Sequence, residues 1–437
     1  MEYLYVTNGK QRTCSKSDFE STVYRHVPNC LYSLITGLNG PNLGLKSLGD
    51  FTYELTKYTD RYLSNITRYV DSGGYSIIKG DVEPNHLDLF IDCYTSFLEN
   101  DQSYYDYIFS LDIPFSLKYE QMNRKEIIHN YNKKSIEKLL DVISRHSHLS
   151  NKVFFVWQFK TRCLYEIWKN LVDELSLNRI IKNRAIGGMV SLRKYANVKI
   201  SPFTAIAYRC LLDYLMEYDD NFCFRLHFLG INLMQDRFQI LFLEKLFKRY
   251  LFDCTVIFTY DSIGYVQRVR KSNYLSIYDF TDDKELMFYP NIEHVPAELI
   301  KRVYLDSDKI EFINGEIERR KSNKELKDID SFVPLNIYSN LKIDAFFDYI
   351  IDQYELIDHF TRSYSITVID KTVGNIMKNL SDKYPDVFKP DLVSIINENI
   401  EYLAIYHNWF MKTRNPMKLE YHIQEFINSI GLPEILV

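Results

Sequence analysis

The chain has 437 residues and a mass of 52.1 kDa, enough for a barrel of ~250 residues with a substantial appendage. Hydrophobic residues at 46%, charged residues at 25%, and only 12 prolines and 15 glycines exclude a disordered or fibrous chain. A formal charge of -5 supplies no overall positive field, so a nucleic-acid partner would have to meet a local basic patch.

Seven cysteines, an odd number with no Cys-X2-Cys pair, suit reduced thiols in a cytoplasm. The first residues, from Met1 to Gly9, lack the basic and apolar blocks of a signal peptide, and no apolar run is long enough to span a bilayer. A cytoplasmic protein without a membrane partner is expected.

From about residue 28 to 275, short apolar runs alternate with helix-period segments, the pattern of a parallel α/β domain. Strands are expected at Leu31–Ile35, Tyr69–Ser72, Tyr107–Leu111, Val153–Gln158, Ala185–Val190, Arg225–Leu229 and Thr255–Tyr260. Between them lie amphipathic stretches at Lys134–Ser144, Cys163–Leu175, Ser201–Glu217 and Asp236–Leu251. Seven strands of a possible eight favour a (β/α)8 TIM-like barrel over residues 1–275. Residues 276–394 read as an inserted or appended, mostly helical region, with charged stretches at Asp279–Glu285 and Glu316–Lys327 and a helical pattern at Leu341–His359. A further helix, Asp391–Tyr406, runs into residues 395–437, whose helices are expected to return to the barrel.

Chemistry in such a barrel collects at the C-terminal ends of the strands. There the sequence places Asp71-Ser72-Gly73-Gly74-Tyr75-Ser76, then Asp112-Ile113-Pro114, Gln158, Gly187-Gly188-Met189, His227 with Gly230, and Asp261. Each has a plainer account. Asp, Ser and Gly make ordinary turns, Gln158 can satisfy a strand end, and glycines allow close packing. Met189 is more often core than a stacking partner, and His227 on an apolar strand reads as a satisfied core histidine. What sets the series apart is its recurrence at successive strand ends.

Asp71 to Ser76 resembles the Asp-Ser-Gly-Gly-Phe-Gln signature of the tRNA-guanine transglycosylases, with Tyr75 for Phe and Ser76 for Gln. Asp112, Gln158, Gly187 with Gly188, and Gly230 follow in the family's order, so the resemblance covers roughly residues 65 to 265. Two departures stand out. Phe159 and Lys160 follow Gln158 where the family has two glycines, and no cysteine follows Cys254, so the family's structural zinc site is missing. These features are most similar to the divergent branch found in phages and bacteria that places 7-deazaguanine in DNA.

The resemblance implies base exchange in DNA, with tRNA as the runner-up polymer, a free 7-deazaguanine (preQ0-type) base as the second substrate, and no cofactor or metal. It implies Asp71 as general acid/base and a final-strand Asp as nucleophile. Asp261 stands at the end of the convincing strand and is preferred, while Asp253, in the family-like Phe252-Asp253-Cys254, is the alternative. Ser72, Gly73, Tyr75, Asp112, Gln158, Gly187, Gly188 and Met189 would line the base pocket. Asp112 would take the N1 and amino donors of guanine, and Gln158 and the nearby amides would meet its oxygen. Arg268, Arg270 and Lys271, just past the last strand, would grip the phosphates. The Arg319–Lys324 run and Arg124-Lys125 with Lys133-Lys134 are further basic groups, and each could equally be a solvated face. A barrel glycosidase with two carboxylates is the alternative enzyme, and a binding protein on a dead scaffold the alternative class.

Overall fold

The computed structural model describes residues 1–6, 20–34, 66–74, 84–113, 127–158, 162–188, 206–207, 209–211, 223–251, 254–262, 264–271, 275–362, 366–389 and 421. Eight parallel strands close into a barrel: β1 (Glu2–Val6), β2 (Asn29–Ser33), β3 (Thr67–Asp71), β4 (Tyr107–Phe109), β5 (Val153–Gln158), β6 (Asn183–Gly187), β7 (Cys223–Phe228) and β8 (Thr255–Asp261). The ring shuts where β8 pairs with β1, with Tyr3 opposite Tyr260 and Leu4 opposite Asp261. That first strand is missing from the expected set, although Glu-Tyr-Leu-Tyr-Val is the aromatic and β-branched run that favours a strand.

Side chains alternate across each strand, and the barrel sorts them cleanly. Leu4, Leu31, Tyr69, Phe109, Phe154, Val156 and Ala185 fill the interior. Tyr69 stacks on Tyr107 at 4.8 Å and Phe109 lies 5.2 Å from Phe154, so the interior is a packed aromatic core and no pore. The outward set, including Tyr32, Val70, Ile108, Phe155, Trp157 and Phe258, joins the larger core beneath the helices. Those helices are α1 (Glu20–His26), α2 (Leu87–Asn100), α3 (Lys133–Arg145), α4 (Arg162–Glu174), α5 (Met234–Tyr250) and α6 (Gly264–Lys271).

Alternation also aims the polar strand ends. Two residues beyond the interior Tyr69 comes Asp71, two beyond Val156 comes Gln158, and two beyond Ala185 comes Gly187. All three therefore share the interior face at the C-terminal mouth. β2, β3, β6 and β7 each begin two residues before the expected start. Their first residues, Asn29, Thr67, Asn183 and Cys223, are polar or small, and they pair by backbone where no apolar signal marks them.

Beyond the barrel come a hairpin, β9 (Ile277–Phe280) and β10 (Leu286–Tyr289), and helices α7 (Ala297–Tyr304), α8 (Ser307–Lys321), α9 (Val333–Gln353), α10 (Leu356–Arg362) and α11 (Ile366–Lys383). The single helix expected over Leu341–His359 is two: α9 starts at Val333 with Pro334 in its first turn, and Glu355, at φ 47°, breaks the chain before α10. α9 is buried nearly all round its first half, as a central helix must be. It packs on α1, α5, α6, α7 and β9. Wholly buried Arg237 of α5 donates to Asp344 at 2.8 Å, and the Tyr260 hydroxyl of β8 donates to the same carboxylate, tying α9 to the last barrel strand.

Within the expected charged stretches, two acids are interior. Asp279 accepts from Arg302 at 2.6 Å, and Glu316 accepts the backbone N–H of Lys327 at 2.5 Å. The helices expected at Ser201–Glu217, Asp391–Tyr406 and in the C-terminal stretch fall largely or wholly outside the described residues. Among the described residues no helix is long and apolar enough to cross a membrane.

Candidate active site

Asp71 is the last residue of β3, opposite Ser33 of β2. Gly73 follows at φ 93°, a conformation open to glycine, so the chain turns at once over the mouth. Gly74 then sits against the next acid, for a Cβ there would lie 3.0 Å from Asp112 Oδ1. Asp112 is nearly fully buried just past β4. Ser72 Oγ donates to its Oδ1 at 3.4 Å, and Gln158 Nε2 donates to its Oδ2. Gly187 makes room for that amide, since a Cβ would fall 2.8 Å from Gln158 Nε2. Ser72, Gly74, Asp112, Gln158 and Gly187 are thus one contiguous polar wall, and Gly188 continues it at φ 79°.

The resemblance implied that Gln158 faces the oxygen of a base. Its amide is instead turned first to Asp112, which keeps one N–H and the carbonyl oxygen free for other partners. Ser72 and Gln158 thus place one donor on each oxygen of Asp112.

Asp71 is partly buried, and its pKa is pushed from 3.8 up to about 8. Burial is the largest cause, followed by the charges of Asp112 and then Asp261, against a smaller opposing pull from the amides of Gly73 and Ser72. The carboxyl is therefore an acid at neutral pH. That the charges of Asp112 and Asp261 both act on it places the three acids around one mouth.

Asp261 closes β8 and is 8% exposed. Its Oδ1 accepts the Gly230 amide at 2.8 Å and lies 3.1 Å from His227 Nε2, while among the described residues no hydrogen bond reaches Oδ2. Gly230 holds φ 75°, which aims that amide. One carboxylate oxygen is anchored and the other is open.

Several expected site residues stand elsewhere or lie beyond description. Tyr75, Met189 and Asp253 fall outside the described residues, as do the side chains of Arg270 and Lys271. Arg268 is exposed on α6, the helix that leaves the rim after Asp261, and its charge reaches Tyr278 of the hairpin. Among the described residues no group of three or more His, Cys, Asp or Glu side chains could hold a metal ion.

One contributor escaped the sequence, and a second was read only in part. Asn132 clamps the residue after Asp112, accepting the Ile113 N–H at 2.7 Å and donating to the Ile113 carbonyl at 3.1 Å. Nothing in the sequence links positions 19 apart, so only the fold reveals it. His227 is fully buried and satisfied, as its apolar strand suggested, yet it also touches Asp261. Its two-residue stagger from Gly230's neighbour Leu229 on the inward face was the available signal.

Fold and site together define an acid-lined parallel (β/α)8 barrel: three carboxyls, a carboxamide and strand-end glycines at the C-terminal mouth. Neither a protein-family model nor a curated protein matches the chain.

Proposed function

We propose that the protein exchanges guanine in DNA for a 7-deazaguanine base through a covalent glycosyl-enzyme on Asp261. The observation that carries this is the contrast between two acids at one mouth: Asp71 is kept protonated past neutrality, while Asp261 has one oxygen anchored by N–H donors and the other unoccupied. Divergent environments for paired carboxyls are how one site holds both an acid and a nucleophile. The order of motifs shared with the guanine transglycosylases supports the same assignment.

In the first half-reaction Oδ2 of Asp261 attacks C1′ and forms an ester bond. The C1′–N9 bond breaks with its electron pair going to the purine, which takes the proton of Asp71. In the second, the incoming base gives its N9 proton to the Asp71 carboxylate and attacks C1′, releasing Asp261. Asp112 accepts from the purine's N1–H and amino group, and the wall from Ser72 to Gly187 holds Asp112 in place.

Choice of DNA over tRNA rests on the departures from the tRNA enzymes' pattern: the missing zinc ligands and Tyr75-Ser76. Reaching a stacked guanine requires flipping it out at a cost of a few kcal/mol, and α6 with Arg268 supplies a backbone contact at the right rim. The test is nucleoside analysis of DNA incubated with the protein and a 7-deazaguanine base. Deazaguanine nucleosides with matching release of guanine are expected. Incorporation into tRNA alone would move the substrate, and sugar release from oligosaccharides without either would favour the glycosidase.

A further inference from the structure

We infer that His227 is a positioning residue that fixes which oxygen of Asp261 attacks. The inference rests on the base-exchange function proposed above.

His227 lies on the inward face of β7, fully buried, with its ring 4.7 Å from Phe109 and 6.4 Å from Phe154. Its Nδ1 is 2.8 Å from Thr259 Oγ1 and its Nε2 is 3.1 Å from Asp261 Oδ1. An ionised carboxylate only accepts hydrogen bonds, so the proton belongs on Nε2. In the neutral ring Nδ1 is then the acceptor, and the Thr259 hydroxyl donates to it. Both nitrogens are committed, which leaves none for substrate and sets His227 apart from a catalytic base.

Thr259 and Asp261 are two apart on β8, so they share its inward face roughly 7 Å apart along the strand. His227 sits beside Thr259 in the β7–β8 register, and the imidazole bridges the two side chains as a strut. The strut alone leaves the carboxyl free to swing about one contact. Gly230 removes that freedom, because its amide reaches the same Oδ1 at 2.8 Å from the next turn of chain. With Oδ1 held by two donors and the ring wedged by two aromatic side chains, the direction of Oδ2 is set before substrate arrives. Pre-set geometry matters here, since a displacement of ~1 Å can cost on the order of 100-fold in rate.

The experiment compares His227→Phe, His227→Gln and Thr259→Val with the wild-type protein in single-turnover trapping of the DNA adduct. His227→Phe keeps a ring between Phe109 and Phe154 but has no donor. It should form the adduct about 10- to 100-fold more slowly, with DNA affinity within about 3-fold. His227→Gln restores a donor and should recover most of the rate, and Thr259→Val should fall between. Adduct formation by His227→Phe within 2-fold of wild type, or a glutamine variant as slow as the phenylalanine one while equally folded, would overturn the inference.

A second readout needs no activity: ring 15N spectra of His227 should show hydrogen on Nε2 and none on Nδ1, with Nδ1 shifting in Thr259→Val. An active wild type with the opposite tautomer would overturn the positioning role alone. A wild type that forms no adduct, with the Nε2–H tautomer present, would overturn the base-exchange function instead.

Discussion

Replacing Asp71 by Asn should make the protein more stable, and increasingly so as pH rises. The folded-state pKa is raised from 3.8 to about 8, so between those values the native protein holds one proton that the unfolded chain has shed. Stability that is complete below pH 3.8 is therefore lost progressively up to about pH 8, after which both states are ionised. About four pH units at ~1.4 kcal/mol each set the loss on the order of 5 kcal/mol. Asparagine has the shape of the protonated acid and titrates nowhere, so the variant escapes this loss while every other group titrates as before. Urea unfolding at pH 5, 7 and 9 isolates the effect: the stability gained by Asp71→Asn should grow by roughly 1 kcal/mol or more per pH unit between pH 5 and 8 and then level off. A gain, or a loss, that does not vary with pH would mean that Asp71 ionises like a solvated carboxyl, and the acid role would have no physical basis. If Asp71 is the acid of the proposed exchange, the same change should slow base exchange severely, the familiar opposition between a strained functional group and stability.

Gly187→Ala puts a methyl against Gln158 Nε2, at 2.8 Å before relaxation, and should weaken guanine binding by about 10-fold while costing roughly 1–3 kcal/mol of stability; unaltered affinity in a folded variant would detach Gln158 from the base pocket. Asp344→Ala strands the buried Arg237 guanidinium and should cost about 3–5 kcal/mol, with most of it recovered when Arg237→Met is added. Equal additive losses in urea titrations would refute a coupled pair. Neutralising Arg268 and Arg270 together should lower the slope of log affinity against log salt by up to about 2, and an unchanged slope would remove α6 from the nucleic-acid surface.

The barrel was legible because its signals are local. Val153–Gln158 reads as a buried strand on composition alone and is one, and alternation fixes which of its residues look inward. β1 was lost because the residues at the chain's start were weighed as a possible leader, while one of its two partner strands, β8, lies more than 250 positions away. Strand starts such as Asn29 and Asn183 were lost because hydrogen bonds hold them and hydrophobicity does not mark them. The acids at the mouth could be picked out by their place in the strand pattern. Their relations could not: the Gln158–Asp112 bond, the Asn132 clamp and the His227 strut join residues 46, 19 and 34 positions apart. The burial of Glu316 and Asp279 was not legible either, because a charge run says nothing about which of its members turns inward.

The circuit of strands puts the acid-and-amide wall and the Asp261 cluster on different sides of the mouth. In the proposed exchange the base-facing groups would come from β3 to β6, and the attacking group with its two anchors from β7 and β8. Asp71 and Asp261 are three strands apart through β1 and β2. With strands ~4.8 Å apart and tilted by ~36°, an eight-stranded ring has a radius of about 7.5 Å. Three steps then span about 14 Å between backbones, and two aspartate side chains shorten this to about 8 Å. Asp112, one strand from Asp71, stands closer, in keeping with its larger effect on the Asp71 pKa. A gap of about 8 Å admits a sugar between acid and nucleophile, but it also lies in the range of inverting glycosidases, whose carboxyls are ~6.5–9.5 Å apart. The two chemistries part at one point, since inversion uses water and forms no enzyme-bound sugar. Denaturing the protein during turnover with DNA should therefore leave a peptide carrying Asp261 joined to the nucleic acid. Asp261→Asn should leave none, and Asp71→Asn should form it slowly because the departing purine lacks its proton. Turnover without any adduct, or an adduct that persists in Asp261→Asn and maps to Asp253, would break the assignment of Asp261 as nucleophile.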